Sequence, residues 1–283
     1  MRFSENRIEK LTCSDGILRD IHIWDAEQPR ALFLAIHGAM DHAGNFMIPG
    51  MYFRDKGITT VAHEQHGHDR KRKVYIPRFE VFLDDLDLMW AWVTKAYPDL
   101  PVFIMGHSMG GLVATHYGLK RINGDPRFRG FIVSSPYYVN AVKTPRLVEK
   151  LAGVIAFLAP RMAIPLEDIT GNLTHDEQVY LRHRTDEKDG IMATLASARF
   201  ANELLKAQRW VPGHIAVWKH PLLAIVAEDD KVADAGATRI LLKKIDPERI
   251  TALYYPENYH ENFNELNREE IFTRILEWVE PRI

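Results

Sequence analysis

Val102-Phe-Ile-Met-Gly-His-Ser-Met-Gly-Gly-Leu-Val-Ala114 opens as an apolar strand and closes as a small-residue helix, with Gly106, Ser108 and Gly110 forming G-x-S-x-G at the junction. The five-residue pattern alone is weak. Its position between strand and helix gives it meaning, because a sharp turn there strains the serine backbone and needs glycine where neighbouring chain passes close by. The turn also sets the serine at a helix N-terminus, where unpaired N–H groups and the dipole favour developing negative charge.

Outward from this stretch, short apolar runs followed by turn chemistry recur. Ala31 to Ile36, Ile58 to Ala62, Phe131 to Ser134, Leu222 to Ala227 and Thr251 to Tyr255 read as strands. Their apolar positions are consecutive rather than alternating, which suits strands buried on both faces. Arg7 to Cys13 and Leu18 to Trp24, joined through Asp15-Gly16, read as an antiparallel hairpin. Helical periodicity fills most gaps, best over Pro77 to Tyr97, where Phe79, Leu83, Leu86, Trp90, Val93 and Tyr97 recur every three or four residues. Proline at its start fits a first helical turn. Strands alternating with helices predict an α/β fold with a mostly parallel central sheet.

That alternation stops after Pro136 and resumes at Pro221. The intervening segment reads as helices (Arg146 to Leu158, Asp176 to His183, Ile191 to Ala207) without a convincing strand. The expected division is a core of residues 1–136 and 216–283 with a helical insertion over 137–215.

A serine needs an imidazole to take its proton, and the imidazole needs a carboxylate to fix its tautomer. After a strand–serine–helix turn, both partners sit on loops at the carboxyl ends of later strands, in the order serine, acid, histidine. His260, in Pro256-Glu-Asn-Tyr-His260 after the strand ending at Tyr255, is the candidate base among thirteen histidines. Glu228-Asp229-Asp230-Lys-Val-Ala-Asp234 offers four carboxylates. Asp234 reads as a helix N-cap and Glu228 follows the strand so directly that it is expected to point away. Asp230 leads, with Asp229 as the alternative. The segment after Ser134 holds no carboxylate before Asn140. Two N–H groups must meet the oxyanion: the amides of Met109 and, in His37-Gly38-Ala39-Met40, of Ala39. His37, Gly38 and His107, beside these donors, are the residues expected to touch substrate.

Composition narrows the classes. The 283 residues carry Lys+Arg 36 against Asp+Glu 38, a formal charge of −2, so no global basic field exists to hold nucleic acid. One cysteine, Cys13, closes no intrachain disulfide and builds no multi-thiolate metal site. The polar start, Met1 to Lys10, lacks the apolar run of a signal peptide, and a cytoplasmic location is expected. His63, His66 and His68 have a spacing that fits no zinc-hydrolase pattern; neither metal nor cofactor is expected.

The sequence resembles the α/β-hydrolase superfamily, within it the monoacylglycerol lipase, lysophospholipase and serine aminopeptidase-like group. Gly106-His-Ser-Met-Gly-Gly111 matches the nucleophile motif, His37-Gly38-Ala39 the oxyanion loop, and Tyr259-His260-Glu261 with Asn264-Glu265 the histidine segment. Leu173-Thr-His-Asp176 and Glu203-Leu-Leu205 are similar to landmarks of the group's cap. The resemblance implies a serine hydrolase with a mobile helical cap over an acyl-binding pocket, and supports Asp230 and His260 in the roles above. Where the group usually has D-x-x-G-H-G, this chain reads Glu64-Gln-His-Gly-His68-Asp69, then Arg70-Lys-Arg-Lys73. That loop is expected to border the site and alter the pocket's shape, and the basic run to be a solvated loop, the alternative being contact with anionic headgroups.

The expected activity is carboxylic ester hydrolysis through an acyl-enzyme, on lipid monoesters such as monoacylglycerols or lysophospholipids. An aminopeptidase or amidase would need a carboxylate in the insertion for a free amino group, for which Glu167, Asp168 and Glu177 are the candidates. A ligand sensor would keep the triad and turn over slowly. The apolar stripe of Leu147, Leu151, Val154, Ile155 and Leu158 either packs on the core or faces lipid, giving peripheral membrane contact.

Overall fold

The computed structural model of the chain describes residues 2–69, 72–122, 124–142, 146–165 and 168–283. In chain order the strands are β1 (Arg7–Thr12), β2 (Leu18–Trp24), β3 (Ala31–Ile36), β4 (Ile58–His63), β5 (Lys73–Val74), β6 (Val102–His107), β7 (Phe128–Ser134), β8 (Ala163–Pro165), β9 (Leu195–Ser197), β10 (Leu222–Ala227) and β11 (Ile250–Tyr255). The helices are α1 (Met47–Arg54), α2 (Val81–Ala96), α3 (Met109–Lys120), α4 (Arg146–Leu158), α5 (Glu177–Lys188), α6 (Ala198–Trp210), α7 (Ala235–Leu242) and α8 (Arg268–Val279).

Every residue of β3, β4, β6 and β10 is buried, as consecutive apolar runs require when both sheet faces are covered. These strands form the centre of an eight-stranded sheet ordered β1-β2-β4-β3-β6-β7-β10-β11. Pairing from β4 through β11 is parallel, and only the hairpin edge of β1 and β2 is antiparallel. Side-chain alternation divides the core. Leu32, Leu34 and Ile104 pack with Leu83, Leu86 and Leu112 of α2 and α3, while Phe33 and Phe103 pack with Phe53, Phe272 and Ile275 of α1 and α8.

Register positions the site. Ile36 pairs with Gly106, His107 with Ser134, and Ala227 with Tyr255. The segments following β3, β6, β7, β10 and β11 therefore leave the sheet at one carboxyl edge, where open α/β sheets bind ligands.

Local structure departs from the sequence reading at three places. Residues 77–80 form turns, with Phe82 N donating to Phe79 O at 3.1 Å, and α2 starts at Val81 rather than Pro77. The segment between β7 and β10 is not free of strands: β8 pairs antiparallel with β9, and β9 pairs parallel with β5. Strands of two or three residues whose partners lie tens of residues away leave no periodicity to read. The run from Ile191 accordingly splits into β9 and α6, with the Ser197 hydroxyl accepting from Phe200 N at 3.2 Å as N-cap. Asp176 caps α5 through Gln178 N and Val179 N, and that helix runs on to Lys188. Arg70 and Lys71 of the basic run lie outside the described residues; Lys73 donates to the Arg161 carbonyl at 2.9 Å, tying β5 to the segment between β7 and β10.

Candidate active site

Ser108 stands between β6 and α3 with φ 53° and ψ −118°, a left-handed conformation that costs a non-glycine residue of order 1–3 kcal/mol. Its neighbours hold it there. Ser108 N donates to Ser134 O at 2.9 Å, and its carbonyl accepts from Tyr137 N at 3.0 Å. A Cβ on Gly106 would collide with the Gly110 carbonyl, and one on Gly110 with the Ile36 carbonyl. Both obstacles are backbone and cannot swing away. Gly110→Ala is expected to destabilise the protein by about 3 kcal/mol, read from the urea midpoint at unchanged m, while Gly213→Ala, with no atom within 4 Å of its Cβ, stays within about 0.5 kcal/mol. Equal midpoints for the two would remove this account of the turn.

His260 Nε2 lies 2.8 Å from Ser108 Oγ, and His260 Nδ1 lies 2.7 Å from Asp230 Oδ2. The other oxygen of Asp230 accepts from Val232 N at 2.7 Å and Ala233 N at 2.9 Å. Burial raises the affinity of this carboxyl for its proton, but the adjacent imidazole and the two amides outweigh it and hold Asp230 below the usual carboxylate range. Asp229 faces solvent and pairs with Lys231, Glu228 pairs with Arg239, and Asp234 caps α7 through Ala237 N at 2.8 Å. Of the four carboxylates in the segment, Asp230 alone meets the imidazole.

As the first residue of α3, Met109 has an amide that no helical carbonyl can accept. Gly38 packs against Ser108, its absent Cβ falling 3.4 Å from Ser108 Cβ, and Met40 takes φ 65° where the loop turns away. Ala39 thereby joins Gly38, His107, Ser108 and His260 in the wall of a cavity of about 500 Å³. His37 does not line it. Its buried ring donates from Nδ1 to Gly38 O at 2.8 Å and accepts at Nε2 from Gln65 N at 3.1 Å, so it shapes the loop from beneath. Burial holds His37 well below the usual histidine range and brings His107 down to about 4; both rings are neutral near pH 7.

The Glu64–Asp69 loop is likewise one layer below the cavity rather than in its wall. Glu64 accepts from Ala43 N at 3.1 Å, and Asp69 lies 3.5 Å from the buried Arg19 guanidinium. Glu64 therefore braces the segment after β3 from below, Asp69 lies against β2 through Arg19, and neither shapes the cavity wall.

The rest of the cavity wall comes largely from the segment between β7 and β10, with Leu173, Met192, Phe200, Leu204 and Leu205 among its apolar members. Its carboxylates there are engaged: Asp168 and Glu187 both pair with Arg184, at 2.9 and 3.0 Å. Glu177 is exposed and outside the wall, and Glu167 lies outside the described residues. Asp41, His183 and Glu261 also line the cavity and escaped sequence reasoning. Only the similarity of Leu173–Asp176 and of Glu261 to known landmarks marked their neighbourhood.

Residues 27–267 match the family model described as Serine aminopeptidase, S33. The chain is 31% identical over 254 residues to "Phospholipase YtpA" of Bacillus subtilis, covering 88% of this chain and 95% of that protein. It is 26% identical over 283 residues to the "Monoacylglycerol lipase" of Mycolicibacterium smegmatis, covering 98% of each. In structure it superposes on a soluble variant of monoglyceride lipase from Saccharomyces cerevisiae with a TM-score of 0.83 at 17% identity, over 98% of this chain and 94% of that one. That likeness concerns the fold.

Proposed function

The chain belongs to the serine aminopeptidase S33 family of α/β-hydrolases, and from that premise we propose that it hydrolyses lipid monoesters, of the monoacylglycerol or lysophospholipid class, through an acyl-enzyme on Ser108. The single observation that carries the reading is the hydrogen-bonded line Asp230–His260–Ser108 opening into a cavity of about 500 Å³ with a largely apolar wall.

In the proposed mechanism, Ser108 Oγ attacks the ester carbonyl while His260 Nε2 accepts its proton. Asp230 holds Nδ1 protonated and stabilises the imidazolium. The amides of Ala39 and Met109 receive the oxyanion. The alcohol leaves with the proton from His260, and water then repeats the sequence on the acyl-enzyme and frees the fatty acid. Residues 137–215 act as a cap over the acyl chain. An amine-recognising reading has less support, since the four described carboxylates in the cavity wall are already engaged: Asp168 and Glu187 by Arg184, Glu261 by His183 and Asn264, and Asp41 by Asn45.

No described helix is long and apolar enough to cross a membrane. Within α4, Val154, Phe157 and Leu158 share one face by their spacing and are 54%, 75% and 73% exposed, with Ile155 and Met162 nearby also open. Leu147 and Leu151 have side chains outside the described set. α4 packs on α6, which supplies Phe200, Leu204 and Leu205 to the cavity wall, and an apolar outer face on such a helix supports peripheral docking of the cap on lipid.

A hydrolysis panel that varies acyl length and headgroup tests the reading. Each added methylene is expected to raise kcat/KM by up to about 0.8 kcal/mol until the cavity is full. Phe157→Asp should impair vesicle-borne long-chain substrate at least about tenfold while leaving acetyl esters near the parental rate. Preference for acetyl over longer chains in the parent would end the lipid reading in favour of a small-ester hydrolase, and a burst without steady turnover would favour a sensor.

A further inference from the structure

The loop that carries His260 has little regular structure of its own. Between the end of β11 at Tyr255 and the start of α8 at Arg268 it contains only the short turn Asn262–Asn264. The segment opposite it, Leu173–Asp176, docks on this loop residue by residue. Leu173 O accepts from Glu261 N at 2.8 Å, and Thr174 Oγ1 donates to Asn264 O at 2.9 Å. His175 Nδ1 reaches Glu265 at 3.0 Å while its ring stacks on Tyr259 at 3.7 Å. Asp176 accepts from Arg268 at 2.6 Å. At the middle of α5, His183 Nε2 donates to Glu261 Oε2 at 3.0 Å, and Asn264 Nδ2 donates to the same oxygen at 2.7 Å.

Glu261 directly follows His260 and is held at both its amide and its carboxylate by the insertion. A buried carboxylate is costly unless paired and hydrogen-bonded, so the arrangement is stable only with α5 in place. His260 must meet Asp230 and Ser108 at once, and a displacement of about 1 Å in such a geometry costs on the order of 10²-fold in rate. We propose that His183 is a positioning residue: through Glu261 it anchors the His260 loop, so the α5 half of the cap is a fixed part of the catalytic frame. This rests on the ester-hydrolase reading above.

The test compares His183→Leu with His183→Gln, whose amide nitrogen stands where the imidazole Nε2 donates. Turnover of p-nitrophenyl acetate and p-nitrophenyl decanoate is measured well below each variant's Tm. His183→Leu is expected to lower kcat about 10- to 100-fold on both esters equally, with KM within about twofold, and His183→Gln to recover kcat to within about threefold of the parent. Glu261→Met should give the same split, and the double variant His183→Leu/Glu261→Met should be no slower than the worse single one, because both break one linkage. If His183→Leu does not fold, Glu261→Met against Glu261→Gln carries the same comparison. Equal rates for His183→Leu and His183→Gln, a loss in KM or on decanoate alone, additive losses, or a fall in Tm with parental kcat would each overturn the proposal. Failure of the underlying reading shows differently, as a parent without ester turnover; failure of the positioning role alone shows as an active parent whose kcat ignores His183.

Discussion

Ser108→Ala is expected to lose on the order of 10⁴-fold or more in kcat, with KM for the same ester little changed. Removing Oγ leaves His260 without the proton it is placed to accept at 2.8 Å, and water has no positioned replacement for the attack. The proposed oxyanion donors, the amides of Ala39 and Met109, and the cavity remain, so residual catalysis above the uncatalysed rate is expected. Because the three residues act as a unit, His260→Ala should cost about as much, and the double variant little more than either. Steady-state rates on a short-chain ester, with thermal unfolding to show that the variant is folded, check this. Parental turnover in Ser108→Ala would exclude the serine mechanism.

Asp230→Asn is expected to cost about 10⁴-fold in kcat, against less than about twofold for Asp229→Asn. The reason lies in which atom would face the ring. Val232 N and Ala233 N both donate to Asp230 Oδ1, so the asparagine would keep its carbonyl oxygen there and turn its NH₂ toward His260 Nδ1. Nδ1 would then have to accept, the proton would reside on Nε2, and the imidazole could not take the proton of Ser108. Asp229 is solvent-facing with its carboxylate on Lys231, and an amide there changes nothing at the ring. The pH profiles of kcat and the rate ratio of the two variants decide between them; the reverse ranking would move the acid by one residue.

Much of the frame was legible because it is written in contiguous residues. Ala31–Ile36 and Leu222–Ala227 are uniformly apolar and prove buried throughout. The strand–Ser108–helix turn announces its strain through glycines that the structure shows pressed against backbone. Alternation of neighbouring side chains in an extended segment says only that one of Asp229 and Asp230 can face the imidazole; the resemblance to the group supported Asp230. What resisted reading depends on pairs far apart in sequence. The small sheet joins Lys73–Val74 to Leu195–Ser197 and Ala163–Pro165, with no local pattern to betray it. His37 sits beside the nucleophile in sequence logic, yet the hydrogen bond from Gln65 N turns its ring beneath the loop. The bond between His183 and Glu261 spans 78 residues, and neither residue is marked by its own surroundings.

The most direct test of the central claim is intact-mass and peptide mapping after treatment with an alkyl fluorophosphonate, with and without a long-chain monoacylglycerol as competitor. The account predicts one adduct per chain, on the peptide that contains Ser108, formed more slowly when the monoacylglycerol is present and absent from Ser108→Ala. An adduct on any other residue, or an unmodified chain that still hydrolyses esters, would contradict it.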